Sequence, residues 1–147
     1  MQRGCLALAV AMMAVGCAAG SVPGPLGQWS VVAHRMPGVS AMSDADATTW
    51  HGRTITYGSA EARSGDETCA RAAYRERAVP TDSLLSASFG LTPGALGPRD
   101  SVPERVQWTE VTCGAAPWGS FGGRLLRTGA DRAYAVWDGV WFELRRQ

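Results

Sequence analysis

Apolar and polar residues alternate most regularly near the C-terminus. Residues 132–137 (RAYAVW) and 140–145 (VWFELR) flank Asp138-Gly139, a pair that two-residue hairpin turns favour. The register set by this turn places Trp137 opposite Val140, Ala135 opposite Phe142 and Ala133 opposite Leu144, so six apolar side chains share one face. The other face carries Tyr134, Val136, Trp141, Glu143 and Arg145 and reads as mixed, with Trp141 and Glu143 outward. A slip of one residue would bury Glu143 and Arg145 and expose Phe142. Small Ala facing large Phe and Leu also suits the tapering interior of a small barrel.

Further strands are expected from alternation and from β-branched and aromatic content. Residues 27–33 (GQWSVVA) put Trp29, Val31 and Ala33 on one face, and 53–57 (RTITY) and 105–113 (RVQWTEVTC) follow the same logic. Weaker signals lie at 60–63, 74–79 and 123–127, which makes about eight strands separated by Gly, Pro or Asp clusters. Two short helices interrupt them. Residues 43–50 open on Ser43 as a cap, with Asp44 and Asp46 in the first turn and Gly52 as a stop. Residues 81–89 follow Pro80, with Thr81 as cap, Leu84, Leu85 and Phe89 as the apolar face and Gly90 at the end. The Pro- and Gly-rich stretch 92–103 reads as an irregular loop. The predicted fold class is all-β, an antiparallel up-and-down barrel of about eight strands with two short helices, occupying residues 27–147.

The N-terminus has a different character. Arg3 precedes an apolar run over 5–15 that is too short to span a bilayer, which needs roughly 20 residues. Residues 14–17 (AVGC) then resemble the bacterial lipobox, in which the Cys becomes the acylated first residue of the mature chain. Residues 1–16 are therefore expected to be a lipoprotein signal peptide, Cys17 the lipidated residue, and 17–26 a Gly/Pro-rich tether. Ordinary cleavage after Ala18 or Ala19 is the alternative. The expected location is the cell envelope, anchored in the membrane through the N-terminal lipid. The outer membrane is favoured if the cell is Gram-negative, because no Asp follows Cys17.

Cysteine usage fits export. With Cys5 in the leader and Cys17 taken by lipid, Cys69 and Cys113 remain, and an even pair in an oxidising compartment is expected to form a disulfide. The 147-residue chain has ordinary globular composition, and its fourteen cations are all Arg against thirteen Asp and Glu, a net charge of +1. No basic field exists to attract nucleic acid, and the lack of Lys removes Schiff-base and Walker-type chemistry.

Gly27-x-Trp29 at the first strand resembles the opening signature of the lipocalin-like (calycin) barrels. That resemblance implies a Trp closing one barrel end against an Arg near the last strand, a role open to Arg145 or Arg146 and assigned to Arg145. A longer resemblance runs through GVSAMS at 38–43, Trp50-x-Gly52, GDETC at 65–69, Val111-x-Cys113 and WDGVWF at 137–142. These residues are similar to a group of exported bacterial proteins that read GISAMS, W-x-GK and WDGVFF, with Arg53 here in place of the Lys and Trp141 in place of a Phe. The resemblance implies a domain type and a compartment, and no activity.

Catalytic signatures are missing from the sequence: no Gly-x-Ser-x-Gly elbow, HExxH or Cys beside His occurs. His34, on the strand face opposite Trp29, is expected outward, and His51 at a helix end favoured by the dipole. Asp44, Asp46 and His51 could be imagined as a metal or acid–base cluster, yet Asp44 and Asp46 point apart and helix capping accounts for both. No cofactor and no metal is expected. Asp66 and Glu67 read as a turn, and Arg71, Arg75, Arg77 and Glu76 as a solvated charged edge. Trp108, Trp118 and Trp141 are the candidates for a pocket or recognition surface. The expected function is non-catalytic binding of a small apolar ligand in a barrel pocket. The alternative is a protein-binding module such as an inhibitor of a secreted protease or lysozyme, by a general likeness to periplasmic metalloprotease inhibitors.

Overall fold

The computed structural model describes residues 24–98 and 102–147, so the expected leader and Cys17 lie outside the described residues. The strands are β1 (Gly27–Arg35), β2 (Thr54–Tyr57), β3 (Ala62–Ser64), β4 (Glu67–Cys69), β5 (Ala72–Pro80), β6 (Arg105–Cys113), β7 (Ala116–Pro117), β8 (Arg124–Arg127), β9 (Arg132–Trp137) and β10 (Val140–Arg146). Helices α1 (Asp44–Thr48) and α2 (Thr81–Phe89) complete the order. All pairings are antiparallel, in the path β4-β3-β2-β1-β10-β9-β8-β6-β5, with β7 on the end of β6.

The two ends of this path, β4 and β5, are joined by Ala70 and Arg71 alone. Following the alternation of direction around the sheet, β4 and β5 run the same way. They are two halves of one bent strand, the first paired with β3 and the second with β6. Counted so, the curled sheet has eight strands in an up-and-down order, the expected all-β barrel-like architecture. At the bend, the Ala72 amide donates to Ala60 and the Gly114 amide to Arg71, both at 2.9 Å. The expected disulfide joins Cys69 to Cys113 at the same place, with Cα atoms 5.4 Å apart.

The C-terminal hairpin has the register read from the sequence, with Val140 on Trp137, Phe142 on Ala135 and Leu144 on Ala133. Asp138 (φ 50°) and Gly139 (φ 82°) supply the left-handed turn. A Cβ at Gly139 would stand 2.3 Å from the Val39 carbonyl, so the turn also receives the 38–43 segment, whose Ala41 amide bonds to Asp138. The inner face is packed solid. Trp29, Ile55, Tyr57, Phe142 and Leu144 are each at most 1% exposed and belong to one cluster with Val31, Val111 and Leu125.

The outer face departs from expectation. Trp141, Tyr134 and Trp108 do point away from the interior, but α2 and the following loop cover them in a second apolar layer with Leu84, Leu85, Leu96 and Val102. Phe89 meets Trp141 at 4.8 Å and Trp108 at 5.8 Å between ring centroids. Thr81 begins this helix without capping it; its hydroxyl donates to the Pro103 carbonyl at 2.5 Å, and Gly90 ends the helix in the left-handed conformation as expected. Glu143 is also less solvated than expected, with its side chain 14% exposed between Arg132 and Arg145.

At the start of β1 the barrel end is closed by Trp29, but its partner is Arg146 and not Arg145. Arg146 lies 4.4 Å over the Trp29 ring, whereas Arg145 pairs with Glu143 and Asp131 on the outside. One residue of strand alternation separates the two roles. Arg146 also donates to the Gly24, Leu26 and Ala130 carbonyls, and the Trp29 indole donates to Pro25 at 2.8 Å. Burial, and then the charge of Arg127, lowers the pKa of Arg146, with Asp131 opposing.

Two outcomes follow for stability. Phe142→Ala removes a fully buried ring and is expected to cost about 3–5 kcal/mol, against at most about 1 kcal/mol for Glu143→Ala with its partly exposed partners; denaturant melts that rank them the other way contradict the register. Reduction of the Cys69–Cys113 bridge, which closes 44 residues of sequence, is expected to lower stability by about 4 kcal/mol on the chain-entropy account. Paired melts with and without reductant measure it.

Candidate functional site

With the interior filled, one space available to a ligand lies at the barrel end where β1 finishes. A cleft of about 540 Å³ is lined there by Trp50, Arg53, Ser64, Asp66, Glu67, Phe121 and Trp137, with Gly52, Thr54 and Gly65. Three separate turns build it beside Trp137 at the end of β9. The first is the turn after α1, held because Ser43 caps the helix through the Asp46 amide and Ala47 is buried in the inner cluster. The second is the β3–β4 turn, which needs Gly65 at φ 58°. The third is the stretch before β8, where Gly122 (φ 91°) lets the chain approach the barrel wall; a Cβ there would stand 2.8 Å from both Ile55 and the Tyr57 hydroxyl.

The floor of the cleft is aromatic. Trp50 stacks on Phe142 with ring centroids 5.0 Å apart and planes 15° apart, meets Phe121 edge-on at 5.0 Å, and lies 6.5 Å from Trp137. Trp50 and Trp137 are half-buried, so part of each indole remains accessible. Over Trp50 stands the Arg53 guanidinium at 3.9 Å, and the Glu67 carboxylate accepts from Ser120. The site thus joins indole surface to one cation and two carboxylates, Asp66 and Glu67, within one cleft. Beneath it Tyr57 donates to the Gly122 carbonyl at 2.7 Å; burial, with a smaller contribution from Tyr74, holds its pKa well above the ordinary value, which keeps the donor protonated.

The three Trp expected to form a pocket separate. Trp108 and Trp141 are buried under α2. Trp118, 8% exposed, edges a different cleft of about 490 Å³ with Arg75, Glu110, Pro117 and Arg124. Trp50, Arg53, Asp66, Glu67 and Trp137, expected from the sequence as helix-end, strand and turn residues, line the larger cleft. The W-x-G-R spacing at 50–53 was the available signal, because a Trp and an Arg three apart across a turn can stack.

The histidines also depart from expectation. A register shift between Val31 and Ala33 leaves Val32 bulged and exposed, so beyond it His34 pairs with Phe142 and turns to the same face. There His34 Nε2 lies 2.9 Å from Asp44 Oδ1, and His34 Nδ1 lies 2.9 Å from His51 Nε2. Of the imagined cluster Asp44, Asp46 and His51, Asp46 stays on its Ser43 cap, while His34 joins the other two. Glu76 stays exposed on the expected charged edge, but it also pairs with the buried Arg127 and accepts from Thr109 at 3.0 Å. Among the described residues no helix is long and apolar enough to cross a membrane. Compared with models of protein families, with curated proteins and with solved structures, the chain matches none.

Proposed function

We propose that this chain is a non-catalytic binding protein of the cell envelope, lipid-anchored through Cys17, that takes a small ligand in the cleft over Trp50 and Trp137. The observation that carries this reading is the contrast between a filled interior and an end cleft of about 540 Å³, a size typical of small-molecule sites. A lipocalin-like mode of binding, with an apolar ligand inside the barrel, loses support because Phe142, Ile55 and Trp29 fill that space. The mixed lining favours an amphipathic ligand instead, with apolar surface for the exposed parts of the indoles and polar groups for Arg53, Asp66 and Glu67. The anchor rests on the lipobox-like AVGC at 14–17. A second reading has support from the same filled interior: a protein partner inserts a side chain into the cleft, as an inhibitor's target would.

Purified under native conditions from envelopes, the wild type is expected to carry a small molecule in native mass spectra that the Arg53→Ala/Asp66→Ala variant lacks. Both substituted residues are exposed, so the melting temperature should hold. A small molecule retained by the variant places it elsewhere, and a co-purifying protein lost from the variant selects the second reading. Separately, palmitate labelling is expected in the wild type and absent from Cys17→Ser; an unlabelled wild type removes the anchor and leaves the cleft reading intact.

A further inference from the structure

His34 and His51 are the only histidines in the chain, and the fold brings them into contact from β1 and from the turn after α1. We propose that His34 Nδ1 and His51 Nε2 form a binding site for a late first-row divalent metal ion, Cu²⁺ foremost, with Asp44 orienting His34 from behind.

The protonation pattern supports it first. A carboxylate at Asp44 can only accept, so the 2.9 Å contact puts the His34 proton on Nε2. Nδ1 is then a bare lone pair, aimed at His51 Nε2, and one proton lies between the two rings. A metal ion can take the place of that proton once His51 shifts to its other neutral tautomer, the proton moving from Nε2 to Nδ1, so that both facing nitrogens offer lone pairs and no net proton is lost. The resulting order, carboxylate to imidazole to metal, is the arrangement that fixes tautomer and ring direction in protein metal sites.

Geometry and mobility are divided usefully between the two rings. The His34 side chain is 10% exposed, and its ring lies 6.3 Å from that of Phe142, so this ligand is held in advance. His51 is exposed and can move. The rings now point at each other, with centroids 5.1 Å apart. Bonds of about 2.0–2.1 Å place two nitrogens roughly 2.9 Å apart at a right angle and roughly 3.4 Å apart at a tetrahedral angle. The observed separation of 2.9 Å is already in reach. His51 has only to swing out of line for both lone pairs to converge on the ion. Two imidazoles with water in the remaining positions suit Cu²⁺, Ni²⁺ or Zn²⁺, and the general affinity order puts Cu²⁺ first. Among the described residues no set of three or more His, Cys, Asp or Glu converges for a metal, so this is a two-nitrogen site open to water or to a further ligand.

The test titrates the mature protein, free of any histidine tag, with Cu²⁺ and follows binding by calorimetry and electron paramagnetic resonance. The wild type is expected to bind one Cu²⁺ at least tenfold more tightly than His51→Gln, with hyperfine coupling to two nitrogens that falls to one or none in the variant. Asp44→Asn is expected to weaken binding ten- to a hundredfold while keeping two-nitrogen coupling. Any copper held at the N-terminus or at Cys17 is common to all three proteins and cancels in the comparison. His51 is exposed, so its variant should fold even if His34→Gln does not. Equal affinity in wild type and His51→Gln, or no coupling to a second nitrogen, overturns the proposal.

Discussion

Ala70 and Arg71 are too short a link to let the sheet lie open. Two residues span only about 7 Å when extended, so the strand that ends one edge of the sheet must hand over to the strand that begins the other. The curl of all the intervening strands follows, and with it a single inner face that can exclude water. The Cys69–Cys113 bridge and the amide contacts of Ala72 and Gly114 fasten the sheet where its curvature is concentrated. Loss of the bend would cost the barrel its interior, since α1 and the turn after it cover only the end of the inner face near Phe142.

The sheet is apolar on both faces along β6, β8, β9 and β10, and the two faces are solved differently. Inside, alternation of Ala133 and Ala135 with Phe142 and Leu144 fills the space from the sheet itself. Outside, Trp108, Leu126, Tyr134 and Trp141 have no facing strand and take their cover from α2. This division explains a Trp-rich chain without a large internal cavity. Four of the six Trp are buried in one layer or the other, and Trp50 and Trp137 remain partly open over the end of the inner layer.

Much of the fold was legible because local pattern and tertiary outcome agree. The Asp138-Gly139 turn, the six-residue face and the Ser43 cap are each set by neighbours in sequence, and they stand as read. The misses share a physical origin in contacts between distant segments. Nothing in 27–35 announces the bulge at Val32, yet that single residue reverses the facing of His34. The docking of α2, remote in sequence from β10, decides that Trp141 is buried; alternation alone says only that it points outward. The choice of Arg146 over Arg145 turns on which side of β10 faces Trp29. The cleft was the least legible feature, because three turns must converge before Trp50, Arg53, Glu67 and Phe121 become neighbours.

The ties at Gly24, Pro25 and Leu26 have a directional consequence. Arg146 and Trp29 grip this segment where β1 begins, and the cleft opens where β1 ends. A chain attached to a surface through residues before Gly24 would therefore leave that surface at the sealed pole of the barrel. Gly24 lies seven residue steps from Cys17, a reach of at most about 25 Å. For a chain anchored so, that grip would turn Trp50 and Trp137 toward the open compartment and away from the bilayer.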